Sequence, residues 1–199
     1  QVGPRLAHRA VEFIDAHHRS NLDAGSSDPF FLLYMSTAIH KPWTPPDVFD
    51  GTAVAGATGA GEKADMIFEL DLEVGAILQA LEQRGLSRET LVIFTSDNGG
   101  IEADSPDGHD SVGGLRGSKG GIHEGSHRVP FIAKWGDGTS AGSLIAPGST
   151  SDELIGIHDY VATLYDLARQ DMPEEQARDS ANLLPVLLGQ PANPPLREF

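Results

Sequence analysis

The sequence predicts an α/β fold with a mostly parallel sheet flanked by helices. Three observations carry that expectation. Short, nearly continuous apolar runs ("FFLLYMS", 30–36; "TLVIFTS", 90–96; "VPFIAKW", 129–135) have the length of strands buried on both faces. Segments with apolar residues at helical spacing alternate with them. Polar clusters follow the first two runs, His40-Lys41 and Asp97-Asn98, and ligands of open α/β sheets bind beyond the carboxyl ends of the strands.

The elements follow in order. Residues 4–19 place Leu6, Val11 and Ile14 with Ala7, Ala10 and Phe13, an amphipathic helix pattern. Asn21 to Pro29 reads as a turn-rich linker, and 30–36 as the first strand. "HKPWTPPDVFDG" holds three prolines and is expected to be irregular. The small, glycine-rich "AVAGATGAG" at 53–61 reads as mobile. A long helix is expected over about 62–84. Ile67, Leu70, Val74, Ile77, Leu78 and Leu81 form its stripe, with Gly85 at the capping position.

The second strand is 90–96, and a glycine-rich loop of about 30 residues then runs from 99 to 128, a length that usually signals function. In the third strand candidate, Pro130 marks the strand's start or an edge position. Ser151 to Ala168 reads as a helix with Leu154, Ile157, Val161, Leu164, Tyr165 and Ala168 on one stripe. "LLPVLLG" at 183–189 is a short apolar element before a proline-rich tail.

Composition narrows the partners. With 14 basic against 29 acidic residues, the net charge is -15. Nucleic acid and anionic lipid need clustered Lys and Arg, so neither is an expected partner. No run of about 18 apolar residues occurs, so no membrane span is expected. Cysteine is absent, which removes thiolate ligands and disulfides and is neutral about compartment.

Three clusters can carry chemistry. Asp97 and Asn98 follow the second strand. A carboxylate and an amide carbonyl are hard oxygen ligands for Ca²⁺ or Mg²⁺, yet Asp-Asn-Gly after a strand is also ordinary turn chemistry. In "GLRGSKGGIHEGSHRVP", 114–130, glycines flank Lys119 and let the backbone approach an anion; taken alone, these residues favour a solvated flexible loop with scattered charge. His40 follows the first strand before a proline-rich turn, either a proton donor to a leaving group or a structural turn residue. His109, His123 and His127 match no zinc spacing. His123 and His127 would share a helix face, but Gly120, Gly121 and Gly125 argue against a helix there.

Taken together, "HKPWTPP", "ADMIFELDLEVGAILQALEQRGLSRETLVIFTSDNGG", "LRGSKGGIHEGSHRVPFIAKW" and "SDELIGIHDYVATLYDLA" resemble, in order and spacing, the formylglycine-dependent sulfatases of the alkaline-phosphatase-like superfamily. The resemblance runs from about Arg9 to Gly189. It implies that Asp97 and Asn98 are half of a Ca²⁺ site (Mg²⁺ or Mn²⁺ being alternatives). It implies that Lys119 contacts the sulfate and bridging oxygens, and that His40 contacts the sulfate near the leaving oxygen. Glu124, Gly125, Arg128 and Pro130 match a supporting segment, and Asp71 a helix aspartate with no catalytic role claimed. The family's glycine after Glu-Gly is Ser126 here, and a usually aliphatic position is His127.

The family nucleophile is a formylglycine made from the Cys or Ser of a Cys/Ser-x-Pro/Ala-x-Arg motif that lies upstream, with two further aspartate ligands. The only serine-led near-match is Ser105-Pro106-Asp107. The expectation is therefore a single partial catalytic domain over 1–199, the middle to later part of a sulfatase, inactive alone. The whole protein would hydrolyse sulfate esters of a small molecule or glycan. Alternatives are a phosphonate or phosphodiester hydrolase of the same superfamily, or a non-catalytic acidic metal-binding module. An acidic loop of Glu102, Asp104, Asp107, His109 and Asp110 would line the substrate entrance. A sheet edge left exposed is expected to favour self-association.

Overall fold

A 23-residue helix, α1 (Val2–Ala24), opens the chain in a computed structural model that describes residues 2–101, 108–190, 192 and 194–197. Its buried residues Gly3, Ala7, Ala10 and Ile14 recur every three to four positions, and three of them are small. That stripe lies against α2 (Glu62–Gln83), whose buried positions include Met66, Glu69, Glu73 and Ala80. Small residues let two helix axes approach closely, so polar side chains of α2 are covered by backbone. The helix α1 outruns the expected 4–19 and takes in part of the expected linker before turning at Gly25, whose φ is 62°.

The stripe expected on α2 is only partly inside. Leu81 is buried, but Leu70, Val74, Ile77 and Leu78 are half-buried and Ile67 is exposed. The face that α1 covers is instead the one bearing Glu69 and Glu73. The end of α2 is as expected. Gly85 (φ 69°) donates its N–H to Glu82 O at 2.9 Å and Leu86 to Leu81 O at 2.8 Å, the paired bonds of a Schellman cap.

Residues 30–36 are not a buried strand. They have no ladder partner among the described residues, and alternate side chains face out, with Phe31, Leu33 and Met35 each about 70% exposed. The opposite set includes Tyr34, which packs on the cluster of Ala7, Phe49 and Val54 with Phe68, Leu72 and Ala76. Period-two exposure is what an extended segment covered on one side shows.

Two segments expected to be irregular are ordered by local chemistry. β1 (Val48–Phe49) pairs antiparallel with β2 (Thr52–Ala53) across Asp50-Gly51, both at positive φ (46° and 84°), a two-residue type I′ turn. The proline-rich stretch therefore ends in a hairpin. The small residues after it are tied down by Asp65 of α2. Its carboxylate accepts from Gly56 N (2.7 Å), Thr58 N (3.0 Å) and Thr58 Oγ1 (2.6 Å). Burial alone would raise this carboxyl, but those donors outweigh it and hold Asp65 below the ordinary range.

β3 (Leu91–Thr95) pairs antiparallel with β4 (Phe131–Trp135), in register from Leu91 opposite Trp135 to Thr95 opposite Phe131. Pro130, which has no N–H to give, stands just outside the ladder. Every strand pairing among the described residues is antiparallel and two-stranded, so the α/β content is present and the expected mostly parallel sheet is not among these residues. The loop between β3 and β4 contains one helical turn, α3 (Glu124–His127), where no helix was expected.

The helix expected over 151–168 begins later. Gly156 is extended, Ile157–Asp159 forms a 3-10 turn, and only α4 (Tyr160–Leu167) is α-helical. Asp159 sets that start: it is fully buried and accepts from Gly156 N (2.6 Å), Ala181 N (2.8 Å) and Arg197 Nη1 (2.7 Å), with Arg197 Nη2 also bonded. α5 (Leu184–Leu187) follows in the expected apolar element. By contacts the chain forms two compact units, Gln1–Ser87 with Gly100–Ser126, and Arg88–Gly99 with His127–Phe199. No described helix is long and apolar enough to cross a membrane.

Asp159→Ala removes the acceptor that four donors share and strands the Arg197 charge. We expect a loss of about 3 kcal/mol in urea unfolding at pH 7, since breaking one partner of a buried pair costs about 3–5 kcal/mol. Burial pushes the Asp159 carboxyl up, but Arg197 and the two backbone donors hold it lower overall. Its contribution is therefore present above the ordinary carboxylate range and lost as the pH falls. Acid should narrow the gap between wild type and variant.

Candidate active site

Each candidate residue is positioned by backbone that the local sequence constrains. β3 ends where its apolar run ends. Thr95 Oγ1 donates to Pro130 O at 2.9 Å, fastening the strand end to the chain entering β4. Ser96 Oγ then donates to Asn98 O (3.1 Å), and Asn98 Nδ2 to Gly99 O (3.1 Å). The amide nitrogen of Asn98 is thus turned to its own backbone, and its oxygen is the group it can offer outward.

Asp97 is exposed, and its carboxylate accepts no hydrogen bond among the described residues. Had the pair been turn-forming alone, Asp97 would be expected to accept a backbone N–H two residues on. Two hard oxygens at one strand end are the right donor type for Ca²⁺ or Mg²⁺ but fall short of the six or more ligands such ions take. Among the described residues no three His, Cys, Asp or Glu side chains are grouped to hold a metal.

Lys119 and His40 belong to the other unit. Lys119 is exposed, and its backbone N–H bonds Gly100 O at 2.8 Å. The loop around it is built on close backbone approaches. A Cβ on Gly125 would stand 2.2 Å from Gly117 O, and one on Gly100 would stand 2.4 Å from Ser111 O. Gly125 N donates to Arg116 O (2.9 Å), closing the base of the segment that displays Lys119. Ser126 is buried beside Gly117 and Gly121, its hydroxyl unpartnered among the described residues. The reading of 114–130 as a loosely solvated loop therefore gives way to a fixed one.

His40 closes a turn through its N–H to Thr37 O (3.1 Å), and its Nδ1 lies 2.7 Å from Lys41 O. A carbonyl only accepts, so Nδ1 carries the proton and the exposed ring offers Nε2 outward. Beside it Trp43 donates to Ile39 O at 3.3 Å and carries two cations over its ring, Lys41 Nζ at 4.7 Å and Lys63 Nζ at 5.7 Å. Lys63 also donates to Ser111 Oγ. Lys63 carries no sequence signal of such a role, its one mark being a place in the first turn of α2.

The structure thus groups Asp97 with Asn98 in one unit, and His40 with Lys119 in the other. Asp110 accepts from Val112 N (3.0 Å) and Gly114 N (2.5 Å), which hold its carboxyl below the ordinary range. That role is structural. Glu102, Asp104 and Asp107, and with them Ser105-Pro106-Asp107, lie outside the described residues. Asp71 is exposed on α2.

Comparison with known proteins agrees along almost the whole chain. The family model for sulfatases matches residues 5–170. An N-acetylgalactosamine-6-O-sulfatase of Bacteroides thetaiotaomicron is 32% identical over 192 residues, covering 92% of this chain and 34% of that protein. Arylsulfatase A of Homo sapiens is 39% identical over 192 residues, covering 96% of this chain and 34% of its own length. Among solved structures, Ps i-CgsB in complex with k-i-k-neocarrahexaose superposes with a TM-score of 0.74 at 26% identity, covering 95% of this chain and 39% of that one. The chain spans about a third of the length of the curated relatives it matches. It belongs to the sulfatase family.

Proposed function

We propose that the whole protein is a sulfuric ester hydrolase acting on a sulfated glycan or small molecule, and that this chain is part of one catalytic domain whose mostly parallel sheet extends beyond it. The observation that carries the reading is Asp97: a carboxylate at a strand's carboxyl end, beside the amide oxygen of Asn98 and accepting no hydrogen bond among the described residues. Asp97 and Asn98 would hold a hard divalent cation, Ca²⁺ first, with Mg²⁺ or Mn²⁺ as alternatives. When bound, such an ion withdraws charge from sulfate oxygens. The named relatives carry the sulfatase designation, and one solved relative is complexed with an oligosaccharide, which supports a glycan substrate.

The chain's own residues handle charge. Lys119, displayed on a rigid glycine-bounded turn, neutralises a sulfate oxygen and the bridging oxygen. His40, with Nδ1–H committed to Lys41 O, passes a proton from Nε2 to the leaving oxygen when the ring is the imidazolium, in which both nitrogens carry a proton, and is left as the neutral Nδ1–H imidazole. Neither is placed to attack sulfur. The formylglycine nucleophile is proposed to come from another part of the protein, since this chain has no cysteine and no matching serine motif.

The 199-residue chain should therefore show no aryl sulfate turnover above a Lys119→Ala control; clear turnover would overturn the assignment of the nucleophile elsewhere. In the whole protein, Lys119→Ala should lower kcat by about 10²–10³-fold, the usual effect of deleting one charge-stabilising donor. Asp97→Ala should act through metal retention, so raised Ca²⁺ should recover activity in Asp97→Asn but not in Lys119→Ala. An aryl phosphate hydrolysed faster than the sulfate would reassign the reaction.

Self-association is also proposed for the chain as it stands, on the exposed row of Phe31, Leu33 and Met35 on an unpaired extended segment. Sedimentation at increasing concentration should show association that Leu33→Lys weakens. A monomer at every concentration would refute it.

A further inference from the structure

α2 turns two carboxylates into the interior one helical turn apart: Glu69 is 4% exposed and Glu73 fully buried. Gly3 of α1 sits directly on them. A Cβ there would stand 2.3 Å from Glu69 Oε1 and 2.3 Å from Glu73 Oε1. Two oxygens, each 2.3 Å from one point, are at most 4.6 Å apart. The other oxygen of Glu73 is fully committed: Tyr34 Oη donates to Oε2 at 2.8 Å and Ser36 Oγ at 2.6 Å. Glu73 Oε1 is buried with no hydrogen-bond partner among the described residues.

Two ionised carboxylates cannot share such a place cheaply. Burial penalises each charge, and each repels the other. The elements packed on the pair offer little to neutralise it. From α1 the groups that meet it are Gly3 and, nearby, Ala7, with the chain's amino group as the charge that acts on Glu69; from 30–36 they are Tyr34 and Ser36, which are neutral donors. We propose that Glu69 and Glu73 hold one proton between them, Glu69 donating it to Glu73 Oε1. This carboxyl–carboxylate hydrogen bond is a clasp that keeps α1 and the segment 30–36 on α2 and weakens as the solution turns from acid to mildly alkaline.

The electrostatics agree with the geometry. Burial first, and then the neighbouring Glu73, push Glu69 up to about 7, against an opposing pull from the chain's amino group. The Tyr34 hydroxyl is pushed well above its ordinary value by burial and by Glu73, so it stays a donor throughout and is not the group that titrates. A carboxyl raised in the folded state binds its proton more tightly there than in the unfolded chain. Its stabilisation is thus complete below its ordinary value of 4.5 and is lost as the pH rises through about 7. This is opposite in sign to Asp65 and Asp159, which favour the folded state at neutral pH and lose that contribution in acid.

The test is urea unfolding of this chain between pH 5 and 8.5, with Glu69→Gln as the decisive variant. A glutamine amide donates to Glu73 Oε1 without titrating. The wild-type midpoint should fall as the pH passes 7, while Glu69→Gln stays level and becomes the more stable protein at pH 8. Carbon NMR of the Glu69 carboxyl supplies a second reading that does not depend on a variant: it should titrate near neutrality in the wild type and return toward the ordinary range in Glu73→Gln. Equal pH slopes for wild type and Glu69→Gln, or an ordinary Glu69 titration, would overturn the proposal. So would loss of the wild-type pH dependence in millimolar Mg²⁺ or Ca²⁺, which would make the pair a cation site instead.

Discussion

The close crossing of α1 over α2 is the constraint on which the larger unit rests. It is made possible by small residues on α1, with Gly3 seated against the carboxylates of Glu69 and Glu73, and it puts that pair beneath a cover, while Asp65 is buried one turn earlier on α2. Covered carboxylates must be satisfied, and their partners are what order the neighbouring chain. Asp65 gathers Gly56 and Thr58 and so fixes the turns after the hairpin; Glu73 gathers Tyr34 and Ser36 and so fixes the extended segment leading to His40. The placement of a candidate site residue thus depends on helix packing that does not touch it. In the smaller unit Asp159 performs the same office for the start of α4 and for Arg197.

Much of this was legible in the sequence, and the failures have a common cause. Periodicity located α2 and its Gly85 cap to within a residue or two, and apolar runs located β3 and β4, because those signals are local. The misplaced features were those in which a side chain reaches far along the chain. No pattern in 53–61 says that Asp65 will hold it, and nothing in 151–168 says that Asp159 will delay the helix. The stripe on α2 was read from hydrophobicity, whereas the buried face was selected by which residues α1 covers. The run at 30–36 was read correctly as extended but not as lacking a ladder.

The candidate site divides in the same way. Asp97-Asn98 was ambiguous between turn and ligand, and the structure sharpens it because the Asp97 side chain is not spent on the turn. The glycines flanking Lys119 suggest close approach of backbone to an anion, yet at Gly100 and Gly125 the side chain is missing because the protein's own backbone passes too close for one. Glycine composition alone does not distinguish a loop that moves from one that is tightly packed.

The antiparallel pairing of β3 with β4 has a kinetic consequence. Thirty-five residues separate Thr95 from Phe131, so zipping this ribbon first requires closing a long loop, at an entropic cost of about 3 kcal/mol from chain length alone. The helices α1 and α2 need no such closure to begin, and a two-stranded ribbon gains little by itself. The ribbon should therefore be a late event in folding. The loop that must close is the one bearing Lys119, so the order in which this chain gains structure leaves the presentation of that lysine until near the end.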